Sequence, residues 1–275
     1  MKLNIKKTAS LFSKKYKVRE KDILILLARI LNSSYSNLFF EEETEASYSD
    51  VAKLEEYLTR LGKQEPISKI IQQKEFYGIP FKTNEHTLDP RPETELIIDL
   101  FRKYYKDQNA VLRTLDLGSG TGCIGLTILS LYKNSLCNFA DADEAAINVT
   151  IENAAALGLS NRCEFTISDW FSNVSGQYDV IVSNPPYIAD GYKLDKTVLF
   201  DPPAALFAGT DGLDSYKAIL PQIRSFLKPY GKLILEIGYD QKDKILEIAC
   251  NLKLLEIAKD LRGISRALVF ECDLH

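Results

Sequence analysis

The chain has 275 residues, 45% of them apolar and 26% charged, with a net charge of −4, a profile that fits one large folded domain or a large and a small one. An acidic balance excludes a protein built as a whole to coat nucleic acid or an anionic membrane. Five scattered cysteines without a CxxC pair, two histidines (His86 and His275) and no apolar run near the roughly 20 residues of a membrane span exclude a disulfide framework, a zinc finger and a transmembrane helix.

Residues 1–22 carry Lys2, Lys6, Lys7, Lys14, Lys15, Lys17, Arg19 and Lys21 against Glu20 and Asp22. They read as a solvated helix face or as a contact for RNA or an acidic partner. No signal-peptide core follows them, so reduced thiols in the cytoplasm are expected. The segment "KDILILLARILN" is apolar nearly all round, as in a short helix buried in a small bundle. In "SYSDVAKLEEYLTRLG", Ser49 is the expected N-cap, Leu54, Tyr57, Leu58 and Leu61 share one helical face, and Gly62 ends the helix. Between these helices "FFEEETEASYS" reads as an acidic loop. The expectation is a helices-only domain over residues 1–72.

Residues 73–92 read as a hairpin linker, with Phe76 to Phe81 turning at Gly78 and Pro90 and Pro92 stiffening the exit. Pro92 suits the first turn of the next helix, with Glu93 and Glu95 favoured by its dipole. Over 93–275 strands and helices alternate. Strands are expected near 112–117, 136–140, 163–167, 178–183, 232–236, 254–259 and 267–272. That alternation means an α/β domain, a mostly parallel sheet with helices on both faces. Ligands bind beyond the carboxyl ends of such strands, and the long segment 188–211 is placed to serve them.

The first of these strands runs into "TLDLGSGTGCIGL". Asp116, Gly118, Gly120 and Gly122 form D-x-G-x-G-x-G at the opening of a helix, where glycines allow a sharp turn and close approach of a ligand. Ser119 and Thr121 lie within this turn. Gly120, Gly122 and Gly125 also match G-x-G-x-x-G, the dinucleotide fingerprint, which alone is a weak signal. Either reading wants an acid after the second strand to hold a ribose. Asp141 directly follows the apolar run and is preferred to Asp143. In "ISDWF", Asp169 can accept from an exocyclic amine and Trp170 offers a flat wall to an adenine.

The run "DVIVSNPPYI" ends a buried strand on Asn184, Pro185, Pro186 and Tyr187. Each proline fixes its own φ and restrains the residue before it. The Asn184 side-chain oxygen and the Pro185 carbonyl are therefore two stiffly held acceptors, suited to a planar NH₂ group, with Tyr187 as a flat surface against it. Such an amino group is a poor nucleophile because its lone pair is delocalised. Acceptors on both hydrogens orient it and stabilise the positive charge that grows on nitrogen during attack. No strong base is required beforehand, in keeping with a chain so poor in histidine.

Together, "DLGSGTG" and the Asn184–Tyr187 motif resemble the S-adenosylmethionine-dependent methyltransferases that act on planar amino nitrogens. "EPISKI" at 65–70, "EFYG" at 75–78, "LDPRPETE" at 88–95, "DPPAALFAGTDGLDSY" at 201–216 and "LEIGYDQ" at 235–241 narrow the resemblance to the HemK/PrmC family, protein-(glutamine-N5) methyltransferases of peptide chain release factors. It runs from about residue 60 to the end. It implies a seven-stranded, Rossmann-like class I methyltransferase domain behind a small helical domain that grips the release factor. The substrate would be the glutamine of the Gly-Gly-Gln loop in class I release factors. Asp116, the Gly118–Gly122 turn, Asp141, Asp169, Trp170 and Asn184 would serve the cofactor, S-adenosylmethionine; Asn184, Pro185, Pro186 and Tyr187 would serve the glutamine amide. No metal, membrane or obligate nucleic acid is implied, and a monomer is expected. One departure is Asp89, where the family often has an aliphatic residue; a pairing with Arg91 or another basic group is expected. Three alternatives stay open: glutamine methylation of a ribosomal protein, a DNA N6-adenine methyltransferase, and a non-catalytic binding module.

Overall fold

The structure, a computed structural model, describes residues 2–273. It divides into two compact units: the residues up to Gln73 with Asp195–Phe200, and Lys74–Leu194 with the residues from Asp201 onward. No helix among the described residues is long and apolar enough to cross a membrane.

The first unit contains β1 (Lys2–Asn4), α1 (Ile5–Tyr16), α2 (Glu20–Ile30), α3 (Tyr35–Phe40), β2 (Glu43–Glu45), α4 (Tyr48–Gly62) and α5 (Ile67–Ile71). It is not helices alone: β1 and β2 pair antiparallel, so the acidic stretch expected to be a loop supplies an edge strand. The helix α2 buries Ile23, Leu24, Leu26, Leu27 and Ala28 against Ile5, Phe12, Leu54 and Leu58. The cap of α4 is Ser47, not Ser49. The Ser47 hydroxyl accepts from Asp50 N, and the Asp50 carboxylate accepts from Ser47 N, a reciprocal pair that satisfies two end groups at once and fixes the helix start. Of the basic N-terminal residues, Lys15 pairs with Glu55 and Arg19 with Asp22.

The second unit opens with a hairpin of β3 (Gln73–Phe76) and β4 (Ile79–Lys82). Tyr77 and Gly78 both take positive φ, 52° and 76°, the two-residue turn that suits the strand twist. Pro92 begins a short 3₁₀ turn that leads into α6 (Glu95–Tyr104). Glu95 does more than complement the helix dipole: its carboxylate accepts from Tyr77 N at 2.8 Å and ties the hairpin to the helix.

There follow β5 (Arg113–Leu117), α7 (Cys123–Leu131), β6 (Leu136–Asp141), α8 (Glu144–Ala156), β7 (Cys163–Ile167) and β8 (Tyr178–Ser183), then α9 (Asp214–Ile219), α10 (Ile223–Phe226), β9 (Leu227–Glu236), α11 (Lys242–Ile248), β10 (Lys253–Lys259) and β11 (Ser265–Glu271). The seven strands β5 to β11 form one sheet in the order β10-β11-β9-β8-β5-β6-β7. Only β11 runs against the others. All seven strands stand where the apolar runs predict them, with β9 starting earlier. Alternate residues of the central strands face opposite cores. Val180, Val182 and Ile234 join α6 and α7 on one face; Leu115, Ile181, Leu233 and Leu235 join α9, α10 and α11 on the other. The chain reverses its direction of winding between β5 and β8, which opens a cleft beyond their carboxyl ends.

Gly125, on α7, lets that helix lie close to β6. A Cβ there would fall 2.5 Å from Phe139 Cε1 and 2.8 Å from Cys137 Sγ, both fully enclosed. Gly125→Ala is expected to destabilise the protein by about 1–3 kcal/mol, measured as a lower urea midpoint at unchanged slope. An unshifted midpoint would show that the helix can move away at no cost.

Candidate active site

A cavity of about 620 Å³ lies at this switch point. Gly118, Ser119, Gly120 and Thr121 from the turn after β5, Asp141 and Asp143 after β6, Ser168, Asp169 and Trp170 after β7, and Asn184 and Pro186 after β8 line it. Arg91, Thr94 and His86 come from the segment before α6, and Pro202, Ala204 and Ala205 from the long segment after β8.

The glycine turn owes its shape to positive φ at Gly118, Gly120 and Gly122 (72°, 55° and 74°). Space above Gly120 is open, so its backbone faces the cavity. A carboxylate holds the turn. Asp141 Oδ2 accepts from Gly120 N at 2.8 Å and Oδ1 from Asp143 N at 3.0 Å; burial raises its pKa, and these two N–H groups oppose that rise. Asp143 caps α8 through Ala145 N at 2.8 Å.

Asp116 does not line the cavity. It lies fully buried below the turn, where Oδ2 accepts from Gly125 N at 2.9 Å and Oδ1 has no partner. Through Gly125 N it shapes the helix start. Gly122 likewise caps α7 from beneath: a Cβ on it would meet Thr150 Cγ2 at 2.6 Å.

Burial raises the Asp116 carboxyl to about 7. Its folded pKa then exceeds the unfolded one, so the folded state holds the extra proton between the two values. Stability from this group is present at low pH and is lost as pH rises through about 7. Between about pH 4 and pH 8, Asp116→Asn should remove on the order of 4 kcal/mol of pH dependence. Parallel urea-denaturation curves for the variant and the parent across that range would contradict this.

At the end of β8 the Asn184 Nδ2 donates to Thr94 Oγ1 at 3.0 Å. The Pro186 carbonyl accepts from Ser215 Oγ at 2.8 Å and the Tyr187 carbonyl from Gln241 Nε2 at 2.9 Å. Among the described residues no donor reaches Asn184 Oδ1 or the Pro185 carbonyl. The two neighbouring carbonyls are satisfied inside the fold, while the two expected acceptors keep their lone pairs free. Pro185 itself is buried and does not line the cavity. Tyr187 does not line it either: its ring packs on the second core and its hydroxyl donates to Glu236 Oε1 at 3.3 Å. The flat surface expected from Tyr187 is therefore a braced wall set back from the cavity.

Residues 92–201 match the methyltransferase small domain family. A release factor glutamine methyltransferase from Agrobacterium fabrum is 34% identical over 257 residues, covering 90% of this chain and 89% of its own length. The chain belongs to the release factor glutamine methyltransferase family. It is also 36% identical over 253 residues to a bifunctional methyltransferase from Rickettsia bellii, of which it covers 46%; the chain spans about half the length of the first such relatives it matches. A methyltransferase structure from Pyrococcus furiosus shares the fold at a TM-score of 0.54 and 16% identity, covering 83% of this chain and 100% of that one. The sheet is that of a class I methyltransferase.

In this member of the release factor glutamine methyltransferase family, Arg91 pairs with the buried Asp201 rather than with Asp89. Asp89, also buried, accepts from Thr83 Oγ1 at 2.8 Å. Asp201, which also accepts from Asp89 N at 3.1 Å, ties the segment before α6 to the "DPPAAL" rim, while the Asp89 carboxylate braces that segment from within. Sequence reasoning did not single out Thr94 or Glu236. Each sits inside a family motif, but their contacts to Asn184 and Tyr187 span 90 and 49 residues, which no spacing rule reaches.

The residues present fit S-adenosylmethionine. Three carboxylates, Asp141, Asp143 and Asp169, line the cavity, and its arginine is neutralised by Asp201. That charge suits a cationic ligand and opposes the pyrophosphate of a dinucleotide. Ser119 lines the cavity, and its Oγ is buried and without a partner among the described residues.

Proposed function

We propose that this protein transfers a methyl group from S-adenosylmethionine to the side-chain amide nitrogen of the glutamine in the Gly-Gly-Gln motif of peptide chain release factors. The observation that carries the reading is Asn184 Oδ1, a free and rigidly held acceptor lining an acidic cavity, with the unengaged Pro185 carbonyl next to it in the chain. Family membership supports it.

Asp141, the Gly118–Gly122 turn, Ser119 and Thr121 hold the cofactor, with Asp169 and Trp170 at the end lined by the loop after β7. The bound cofactor supplies an electrophilic methyl group on a sulfonium. Asn184 and Pro185 accept the two amide hydrogens of the substrate glutamine, fix the plane of that amide and favour the charge that develops on nitrogen. Orientation supplies much of the rate. Transfer would break the carbon–sulfur bond, leave a neutral thioether and place a positive charge on the amide nitrogen; that cationic amide is strongly acidic and gives its proton to water, so the chain needs no dedicated base. The helical unit, with its own core, grips the body of the release factor, and the reaction takes place in the cytoplasm.

The test is methyl incorporation from labelled cofactor into a purified release factor, a ribosomal protein and adenine-containing DNA offered in parallel. Label in the release factor is expected. Label confined to the ribosomal protein or the DNA would replace this substrate assignment.

A further inference from the structure

The hydrogen bond from Asn184 Nδ2 to Thr94 Oγ1 raises a question that the reaction does not answer. A side-chain amide can turn over and exchange its oxygen for its nitrogen. Only one of the two orientations leaves an acceptor facing the substrate. Something must keep Asn184 from flipping.

Thr94 is 2% exposed. Its oxygen accepts from Asn184 at 3.0 Å, and its own hydrogen is given no acceptor by that bond. Glu236, also 2% exposed, ends β9 level with Asn184, because the residues before them, Ser183 and Leu235, are partners across β8 and β9; the Thr94 hydroxyl is near enough to favour its charged form. Glu236 Oε1 accepts from the Tyr187 hydroxyl at 3.3 Å. Glu236 Oε2 is buried and without a partner, a costly condition for a carboxylate oxygen. A hydroxyl proton in need of an acceptor is thus on the same side of the site as a carboxylate oxygen in need of a donor, and it favours the charged form of that carboxylate.

We propose that Glu236 is a positioning residue which, through the Thr94 hydroxyl, fixes the Asn184 amide with its oxygen toward the substrate and at the same time braces Tyr187. The inference rests on the functional reading above for its consequence, though not for its geometry. An ionised Glu236 can only accept. It draws the Thr94 hydrogen to itself, so the Thr94 oxygen can only accept from Asn184. Nδ2 is then the atom that must face Thr94, and Oδ1 the atom left for the substrate amide. A protonated Glu236 can donate to the Thr94 oxygen instead. Thr94 is then free to turn its hydrogen toward Asn184, and the flipped amide becomes an equal partner.

The relay is therefore sensitive to pH. Burial raises the Glu236 carboxyl to about 7, while the Thr94 and Tyr187 hydroxyls and Arg266 favour its charged form and Glu93 opposes it. The Tyr216 hydroxyl, which donates to the Glu236 carbonyl at 3.2 Å, and the Cys123 thiol also face this group; burial holds both of them neutral across the range concerned.

Two measurements test the relay, one of them without substrate. In nuclear magnetic resonance spectra of the full chain, the Asn184 side-chain NH₂ signals should titrate with a midpoint of about 7. The titration should vanish in Glu236→Gln, whose carboxamide carries no charge, and in Thr94→Val, where the link is cut. In single-turnover methyl transfer to a release factor, the wild-type rate should fall as pH drops through the same range. Thr94→Val should lower kcat by about tenfold or more, with cofactor affinity changed by less than about threefold. Thr94→Ser should restore most of the rate, and the acid limb should disappear in Glu236→Gln. An Asn184 amide that does not titrate in the wild type, or a Thr94→Val variant with unaltered kcat, overturns the proposal. A wild-type protein that transfers no methyl to a release factor overturns the functional reading instead, and the amide titration then decides the relay alone.

Discussion

Asn184→Ala is expected to lower kcat for methyl transfer by about 10²–10³-fold, the scale for removing one preorganised contact to a developing charge. The residue ends β8 at the switch point, its Nδ2 is committed to Thr94 and its Oδ1 is free. Truncation removes one of two acceptors and leaves the substrate amide free to rotate. Cofactor affinity changes little, because the glycine turn and Asp141 stand on other strands. Asn184→Asp is an instructive companion. It keeps an oxygen at the right reach, yet it loses the donor to Thr94 and sets a second carboxylate near the buried Glu236. It should recover little of the rate. The check is single-turnover transfer with cofactor affinity measured separately for each variant. Near-normal turnover in Asn184→Ala, or losses that follow cofactor affinity alone, would remove Asn184 from its role.

Asp141→Ala is expected to weaken S-adenosylmethionine binding by about 1–3 kcal/mol, or about 5- to 150-fold. Two effects combine. The acid facing the cavity is lost, and Gly120 N and Asp143 N lose their acceptor, so the turn is no longer held in its binding shape. Asp143→Ala should behave differently. Its carboxylate caps α8, so its loss costs about 1 kcal/mol of stability with little change in affinity. Calorimetric titration of both variants separates the roles. A weakened Asp143→Ala beside an unaffected Asp141→Ala would exchange them.

The sheet was legible because each strand is an apolar run bounded by turn residues, and buried parallel strands need that pattern to fill both cores. Gly118, Gly120 and Asn184 could be placed at the cavity from the chain alone, since a turn after one strand and a stiff segment after another must meet where the winding reverses. Three kinds of feature were not legible. The β1–β2 pair joins strands of only three residues about 40 positions apart, too short to show a period. The cap of α4 was assigned two residues late because Ser47 and Ser49 are chemically alike; the difference is Asp50, three residues after Ser47, which closes the reciprocal pair. Asp116 was expected to meet the cofactor because it heads the glycine motif, yet it points down to Gly125 N and sets the turn from below. Whether an acid faces a ligand or a backbone amide depends on the strand pleat and on what packs beneath. Residue type shows neither, and the same holds for the contacts joining Thr94 to Asn184 and Tyr187 to Glu236.

The central claim is that Asn184 Oδ1 and the Pro185 carbonyl hold a glutamine side-chain amide for methylation. It is tested most directly by incubating the protein with S-adenosylmethionine and an intact release factor, then locating the product by fragmentation mass spectrometry. One added methyl is expected, on the side-chain nitrogen of the glutamine in Gly-Gly-Gln, and none when that glutamine is replaced by glutamate. A methyl on any other atom of the release factor, or undiminished incorporation into the glutamate variant, would contradict it.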